Sequence, residues 1–193
     1  MSQIKGIVFD FYGLFVIDSD RLLIERAEKV NPQLADELRD IMKQYDYGVV
    51  DYNYMVDSFR IKLGLSHEEI MDYFRSHKHL DTRLVELVHS LRQRGFKVGL
   101  LTNTGKEGIE RYIDEQHLLQ IFDDVVLSFE IGLIKPNPEI FTTTVRRLGV
   151  EAHTALMIDD RPENLDGARQ AGLATLLFHN FDQCIADLAH ILA

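Results

Sequence analysis

The sequence predicts an α/β fold: a parallel-sheet core with a small all-helical cap inserted after the first strand. Three observations predict it. Short β-branched runs alternate with longer amphipathic stretches, each run stops abruptly at a polar residue, and residues 17–79 break the rhythm. The runs cover residues 4–9, 98–101, 125–127, 155–158 and 174–178. Runs so short and so continuously apolar suit strands buried on both faces. They end at Asp10, Thr102-Asn103, Ser128, Asp159-Asp160 and His179. Parallel α/β sheets bind ligands beyond the carboxyl ends of their strands, so these polar residues mark the candidate site.

The helices follow in order. Residues 81–94 place Leu84, Val85, Leu87, Val88 and Leu91 on one side and stop at Gly95, a C-cap residue. Residues 107–117, 138–148 (ending at Gly149), 162–171 (ending at Gly172) and 181–192 repeat the pattern. Within 17–79, helices are expected over 22–30, 34–45, 54–63 and 67–74. Asn31-Pro32 and Gly64-Leu65-Ser66 punctuate them, and Ser66 with Glu69 has capping-box spacing. The expected division is therefore a core of residues 1–16 and 80–193 with a cap of residues 17–79 over the carboxyl edge of the sheet.

Composition narrows the function classes. The chain has 193 residues, 21 basic and 31 acidic, for a net charge of −10. That sign argues against nucleic acid and against anionic membranes as partners, since both demand clustered Lys and Arg. No apolar run reaches membrane-spanning length and the start resembles no signal peptide, so a cytoplasmic protein, monomer or homodimer, is expected. The single cysteine, Cys184, has no disulfide partner in the chain and is expected in the core. Of the histidines, His67, His77 and His79 show no ligand spacing.

Four strand-end signatures, taken in order, resemble the haloacid dehalogenase superfamily of aspartate-nucleophile hydrolases. They are Val8-Phe9-Asp10-Phe11-Tyr12-Gly13; Leu100-Leu101-Thr102-Asn103; the phrase from Ser128 to Phe141 containing Lys135-Pro136; and Met157-Ile158-Asp159-Asp160-Arg161-Pro162 with Asn164. The resemblance covers the whole Rossmann-like core. It implies Asp10 as nucleophile, Lys135 as the fixed cation beside it, and Thr102, Asn103 and Lys135 as phosphate-binding residues. It also implies a Mg²⁺ held by Asp10, the backbone carbonyl of Tyr12, Asp159 and Asp160. The chemistry is coherent. Asp is anionic without special tuning, and a cation and a lysine offset its repulsion of a phosphate. Asn164 stands where the family often has an outer acid. Tyr47-Gly48-Val49-Val50-Asp51-Tyr52 and Leu63-Gly64-Leu65 are similar to the small helical cap of sugar-phosphate phosphatases.

One residue departs from the pattern. Most phosphatases of the family carry a second Asp two positions after the nucleophile, as general acid and base; here that position is Tyr12. A tyrosine with pKa about 10 is no base at neutral pH and a poor proton donor. Three readings stay open. The first is a Mg²⁺-dependent hydrolase of a small phosphorylated metabolite through an aspartyl-phosphate. The second is a metal-independent 2-haloacid dehalogenase, whose nucleophile loop has the Asp-x-Tyr-Gly form and for which Arg39 is a candidate cap cation. The third is a catalytically impaired binding or regulatory protein. Tyr45, Tyr47, Tyr52 and Tyr54 form a further aromatic group in the cap.

Overall fold

The computed structural model describes residues 3–77, 79–113 and 118–193. Five parallel strands form one sheet: β1 (Gly6–Phe9), β2 (Lys97–Thr102), β3 (Asp124–Leu127), β4 (Ala155–Asp159) and β5 (Ala174–Leu177), in the order β3-β2-β1-β4-β5. β1 lies at the centre, with Phe9 beside Leu100 of β2 and Ile158 of β4. That register brings Asp10, Thr102 and Asp159 to one edge.

Four helices follow β1 directly: α1 (Ser19–Glu28), α2 (Pro32–Asp46), α3 (Tyr52–Leu63) and α4 (His67–Ser76). The remaining helices are α5 (Thr82–Gln93), α6 (Lys106–Ile113), α7 (Ser128–Ile131), α8 (Pro138–Leu148), α9 (Pro162–Gln170) and α10 (Phe181–Ile191). The short α7 lies in a stretch with no helical periodicity in the sequence. The end of the helix expected over 107–117 and Lys78, between His77 and His79, lie outside the described residues.

Local chemistry sets the ends. Asn31 caps α2 ahead of Pro32, Asp51 caps α3, and Ser66 and Glu69 form the expected capping box on α4. α8 ends at the left-handed Gly149. On one face of the sheet, Ile7, Phe9 and Leu100 pack against Leu84 and Val88 of α5 and Cys184 and Leu188 of α10. On the other, Val8, Leu101 and Met157 pack against Phe141 and Val145 of α8 and Leu165 of α9. The inserted helices bury a separate core around Leu38, Met55, Phe59 and Ile70. The chain leaves and re-enters the sheet region side by side: Val16 bridges Leu80, and the Asp81 N–H donates to the Phe15 carbonyl at 2.8 Å. Among the described residues no helix is long and apolar enough to cross a membrane.

Candidate active site

The carboxyl edge of the sheet and the inserted helices enclose a cavity of about 1020 Å³, bordered by Asp10, Tyr12, Asn103, Lys135 and Arg161 from the core and by Arg21, Tyr45 and Asp46 from the insertion. Asp10 follows β1 directly. Its N–H still continues the sheet, donating to the Ile158 carbonyl at 2.9 Å, while its side chain sits at the edge. Both of its side-chain partners fall on Oδ1: the Phe11 N–H at 2.7 Å and Lys135 Nζ at 2.7 Å. Oδ2 is therefore the oxygen left for chemistry.

Lys135 Nζ lies between two carboxylates, 2.7 Å from Asp10 Oδ1 and 2.7 Å from Asp159 Oδ2, in a pocket where all three side chains are nearly inaccessible to solvent. Burial works against the ammonium, yet the two carboxylates hold its pKa above the usual lysine value. Its main chain is fixed by Asn103, whose Oδ1 accepts from the Lys135 N–H at 2.8 Å and whose Nδ2 donates to the Lys135 carbonyl at 3.1 Å. The side chain of Asn103 thus positions the lysine.

Asp159 is saturated. Besides Lys135, its Oδ1 accepts from the Arg161 N–H at 2.9 Å, and Asn164 Nδ2 lies 3.0 Å from each of its oxygens. An amide at position 164 supplies a donor where a carboxylate would repel Asp159. Asp160 differs. Its Oδ2 meets Arg21 Nη1 of α1 at 2.7 Å, whereas its buried Oδ1 has no hydrogen-bond partner among the described residues. An orphaned buried carboxylate oxygen calls for a cation or a donor. Asp160 is not the cap of α9; that position belongs to Arg161, without a side-chain cap bond.

Carboxylate oxygens of Asp10, Asp159 and Asp160 lie within 4.8 Å of one another. Burial first, then the neighbouring Asp159, raises the pKa of Asp10 to about 8 against the pull of Lys135. The same two causes raise Asp160 against Arg161 and Arg21. Surplus negative charge and an orphaned oxygen fit a divalent cation such as Mg²⁺. Gly13 makes the close approach: it has φ +86°, and a Cβ there would stand 2.5 Å from Asp160 Oδ2.

The remaining expected residues are spread around this centre. Thr102 is fully buried at the end of β2, its Oγ1 donating to the Asn103 carbonyl at 3.4 Å. Thr104, two residues on, borders the cavity, with its Oγ1 3.5 Å from the Tyr12 hydroxyl. The Tyr12 ring stands edge-on to Phe11 at 5.1 Å. Tyr45, Tyr47 and Tyr52 border the cavity, whereas Tyr54 is exposed. Arg39 is engaged by Glu28 at 2.6 Å and Asp36 at 2.7 Å.

Several residues at the site were given no role by the sequence. Arg161 Nη2 pairs with Asp18 Oδ2 at 2.6 Å, and Asp18 also caps α1. Ser128 joins the insertion to the core: its Oγ accepts from the Thr104 N–H at 2.9 Å and donates to the Asp46 carbonyl at 2.6 Å. Asp46 itself borders the cavity. Ser128 was marked as a strand end, and Asp18, an acid ahead of a helical stretch, carried a signal that concerned capping; Asp46 carried none.

A parallel α/β core with a helical insertion after β1, and a buried lysine–carboxylate centre at its carboxyl edge, defines a class of hydrolase. The haloacid dehalogenase-like hydrolase family model matches residues 4–172, and the chain belongs to that family. It is 25% identical over 187 residues to Pyrophosphatase PpaX of Bacillus cereus, a match covering 90% of this chain and 82% of that protein. Among solved structures it resembles the HAD family enzyme bt-2542 of Bacteroides thetaiotaomicron in complex with magnesium and inorganic phosphate. That match has TM-score 0.70 and 24% identity over 94% of this chain and 98% of that one. It also resembles a HAD-like family hydrolase from Porphyromonas gingivalis, with TM-score 0.75 and 22% identity over 99% and 98% of the two chains.

Proposed function

We propose that this protein is a Mg²⁺-dependent phosphatase that hydrolyses a small phosphorylated metabolite through a phosphorylated Asp10. The observation that carries the reading is the carboxylate group itself: Asp10, Asp159 and Asp160 clustered within 4.8 Å, with Lys135 on two of them and an orphaned oxygen on the third. Asp10, Asp160 and the Tyr12 carbonyl would hold the ion, with Asp159, already bonded to Lys135, Arg161 and Asn164, supporting it from behind; when bound it screens the phosphate charge and polarises its P–O bonds.

The chain's own residues do the rest. Asp10 Oδ2 attacks phosphorus as the bond to the leaving oxygen breaks, and that oxygen takes up a proton. Water then attacks phosphorus, the Asp10–phosphorus bond breaks, and inorganic phosphate leaves. Lys135, fixed by Asn103, keeps Asp10 in place and offsets charge on the transferring group. Thr102, buried just behind the cavity wall with its hydroxyl on the Asn103 carbonyl at 3.4 Å, would have to turn that hydroxyl outward to reach a phosphate oxygen, whereas Asn103 borders the cavity itself. Tyr12 walls the cavity beside Thr104.

Two relatives support the reading: the bt-2542 enzyme crystallised with magnesium and phosphate, and PpaX by its name as a pyrophosphatase. The dehalogenase reading wants a cation free to take a substrate carboxylate, and Arg39 is already engaged by Glu28 and Asp36. The experiment is a panel of phosphate esters beside 2-chloropropionate, each with Mg²⁺ and with EDTA. Phosphate release that EDTA and Asp10→Asn both abolish supports the proposal. Halide release that survives EDTA overturns it.

A further inference from the structure

Resting on the phosphatase reading, we infer that Asp46, at the end of α2, is the general acid that protonates the leaving group, in place of the acid absent at position 12. The need is chemical. An alkoxide leaves phosphorus slowly without a proton, and Tyr12 is a poor donor at neutral pH. Asp46 borders the same cavity as Asp10, Tyr12 and Lys135, from the side of the insertion.

Its placement is not that of a loose surface acid. The Asp46 carbonyl accepts from Ser128 Oγ at 2.6 Å, and Ser128 also takes the Thr104 N–H, so the end of α2 is tied to the strand ends of the core. Gly48, just beyond, packs on Phe129: a Cβ there would lie 3.1 Å from the Phe129 Cβ. Tyr45, one residue before Asp46, fits against Gly105, where a Cβ would stand 2.2 Å from its ring. Three contacts therefore hold Asp46 in register with the catalytic edge.

The surroundings also favour its protonated form. Burial, then Asp18 and Asp20 at the start of α1, raise its pKa well above the usual carboxylate value, while Arg161 and Lys135 pull the other way. The negative end of α2 adds to the upward push. Among the described residues Asp46 makes no ion pair, and it lines the cavity. In the step assigned to it, the P–O bond to the leaving group breaks as Asp10 attacks, the leaving oxygen takes the Asp46 proton, and an alcohol and the Asp46 carboxylate result.

The test measures leaving-group release in a single turnover with Mg²⁺, for an alkyl phosphate and for p-nitrophenyl phosphate. The second needs no proton on its leaving group. Asp46→Asn is expected to slow the alkyl ester about 10²- to 10⁴-fold and p-nitrophenyl phosphate less than about threefold, with a melting temperature no lower than wild type. Adding Tyr12→Asp should restore much of the alkyl activity, which a structural role for Asp46 would not produce. Equal losses on both esters, or no loss on either, overturn the inference while leaving the phosphatase reading intact. A wild-type protein that releases phosphate from no ester overturns both.

Discussion

The side-chain amide of Asn103 brackets the backbone of Lys135, accepting from its N–H at 2.8 Å and donating to its carbonyl at 3.1 Å. The catalytic edge is therefore braced between the end of β2 and the loop after α7, and the lysine reaches Asp10 and Asp159 from a fixed backbone. Asn103→Ala removes both bonds and leaves two main-chain groups to find water. Stability should fall by about 1–3 kcal/mol, and kcat by about 10- to 100-fold as Lys135 loosens. Melting curves and steady-state kinetics on one ester check this. An unchanged kcat would show that Lys135 holds its place without Asn103.

Gly13→Ala tests how tightly the nucleophile loop packs on Asp160. The substitution sets a methyl group 2.5 Å from Asp160 Oδ2 at a φ of +86°. The strain costs about 1–3 kcal/mol, and displacement of the carboxylate should weaken Mg²⁺ binding more than tenfold. Magnesium titration followed by calorimetry reads the second effect independently of folding.

Acid–base linkage supplies a third expectation. The Asp10 pKa, about 8 in the folded protein, lies above its unfolded value of 3.8. Between those limits the folded state holds a proton that the unfolded chain releases, so this contribution to stability is full at low pH and lost as pH rises toward 8. Asp46 and Asp160 shift in the same direction. In EDTA the protein should therefore melt progressively lower from pH 5 to 8, on the order of 1 kcal/mol per pH unit at most for each group. Asp10→Asn should flatten that decline and melt higher than wild type at pH 8. A wild-type profile already flat in EDTA would contradict the expectation.

Arg21 would compete with a metal ion for Asp160. Its guanidinium takes Asp160 Oδ2 at 2.7 Å while also pairing with Glu25. Arg21→Met removes the competing cation from a group that would hold Mg²⁺, so magnesium affinity should rise severalfold, whereas Asp160→Asn should lower it sharply. Ligand linkage makes the difference visible as thermal shift: saturation at 100 times Kd adds about 2.7 kcal/mol of stability. Equal magnesium-induced shifts in wild type and Arg21→Met would refute the competition.

Much of this protein was legible in its sequence. The five apolar runs became five parallel strands, and the polar residues that stop three of them, Asp10, Thr102-Asn103 and Asp159-Asp160, came together on one edge. Strand periodicity and strand ends are local properties, and parallel register then aligns them. The stretch of residues 17–79 read as helices because its punctuation, Asn31-Pro32 and the Ser66–Glu69 box, acts within a single turn.

The partners of those residues were decided by tertiary structure. Residue identity placed Asp159 and Asp160 side by side; folding saturated the first with Lys135, Arg161 and Asn164, and left the second with an orphaned oxygen opposite Arg21. Asp46 was an ordinary helix-end acid in the chain, and became part of the site only where Ser128, 82 positions away, drew the end of α2 over the sheet. The sequence by itself determined the fold and which polar residues stand at the strand ends, because hydrophobic periodicity and capping are short-range. Which carboxylate is satisfied, which is free and which faces the cavity depends on burial and on charges brought together from distant segments, and only the tertiary structure decides that.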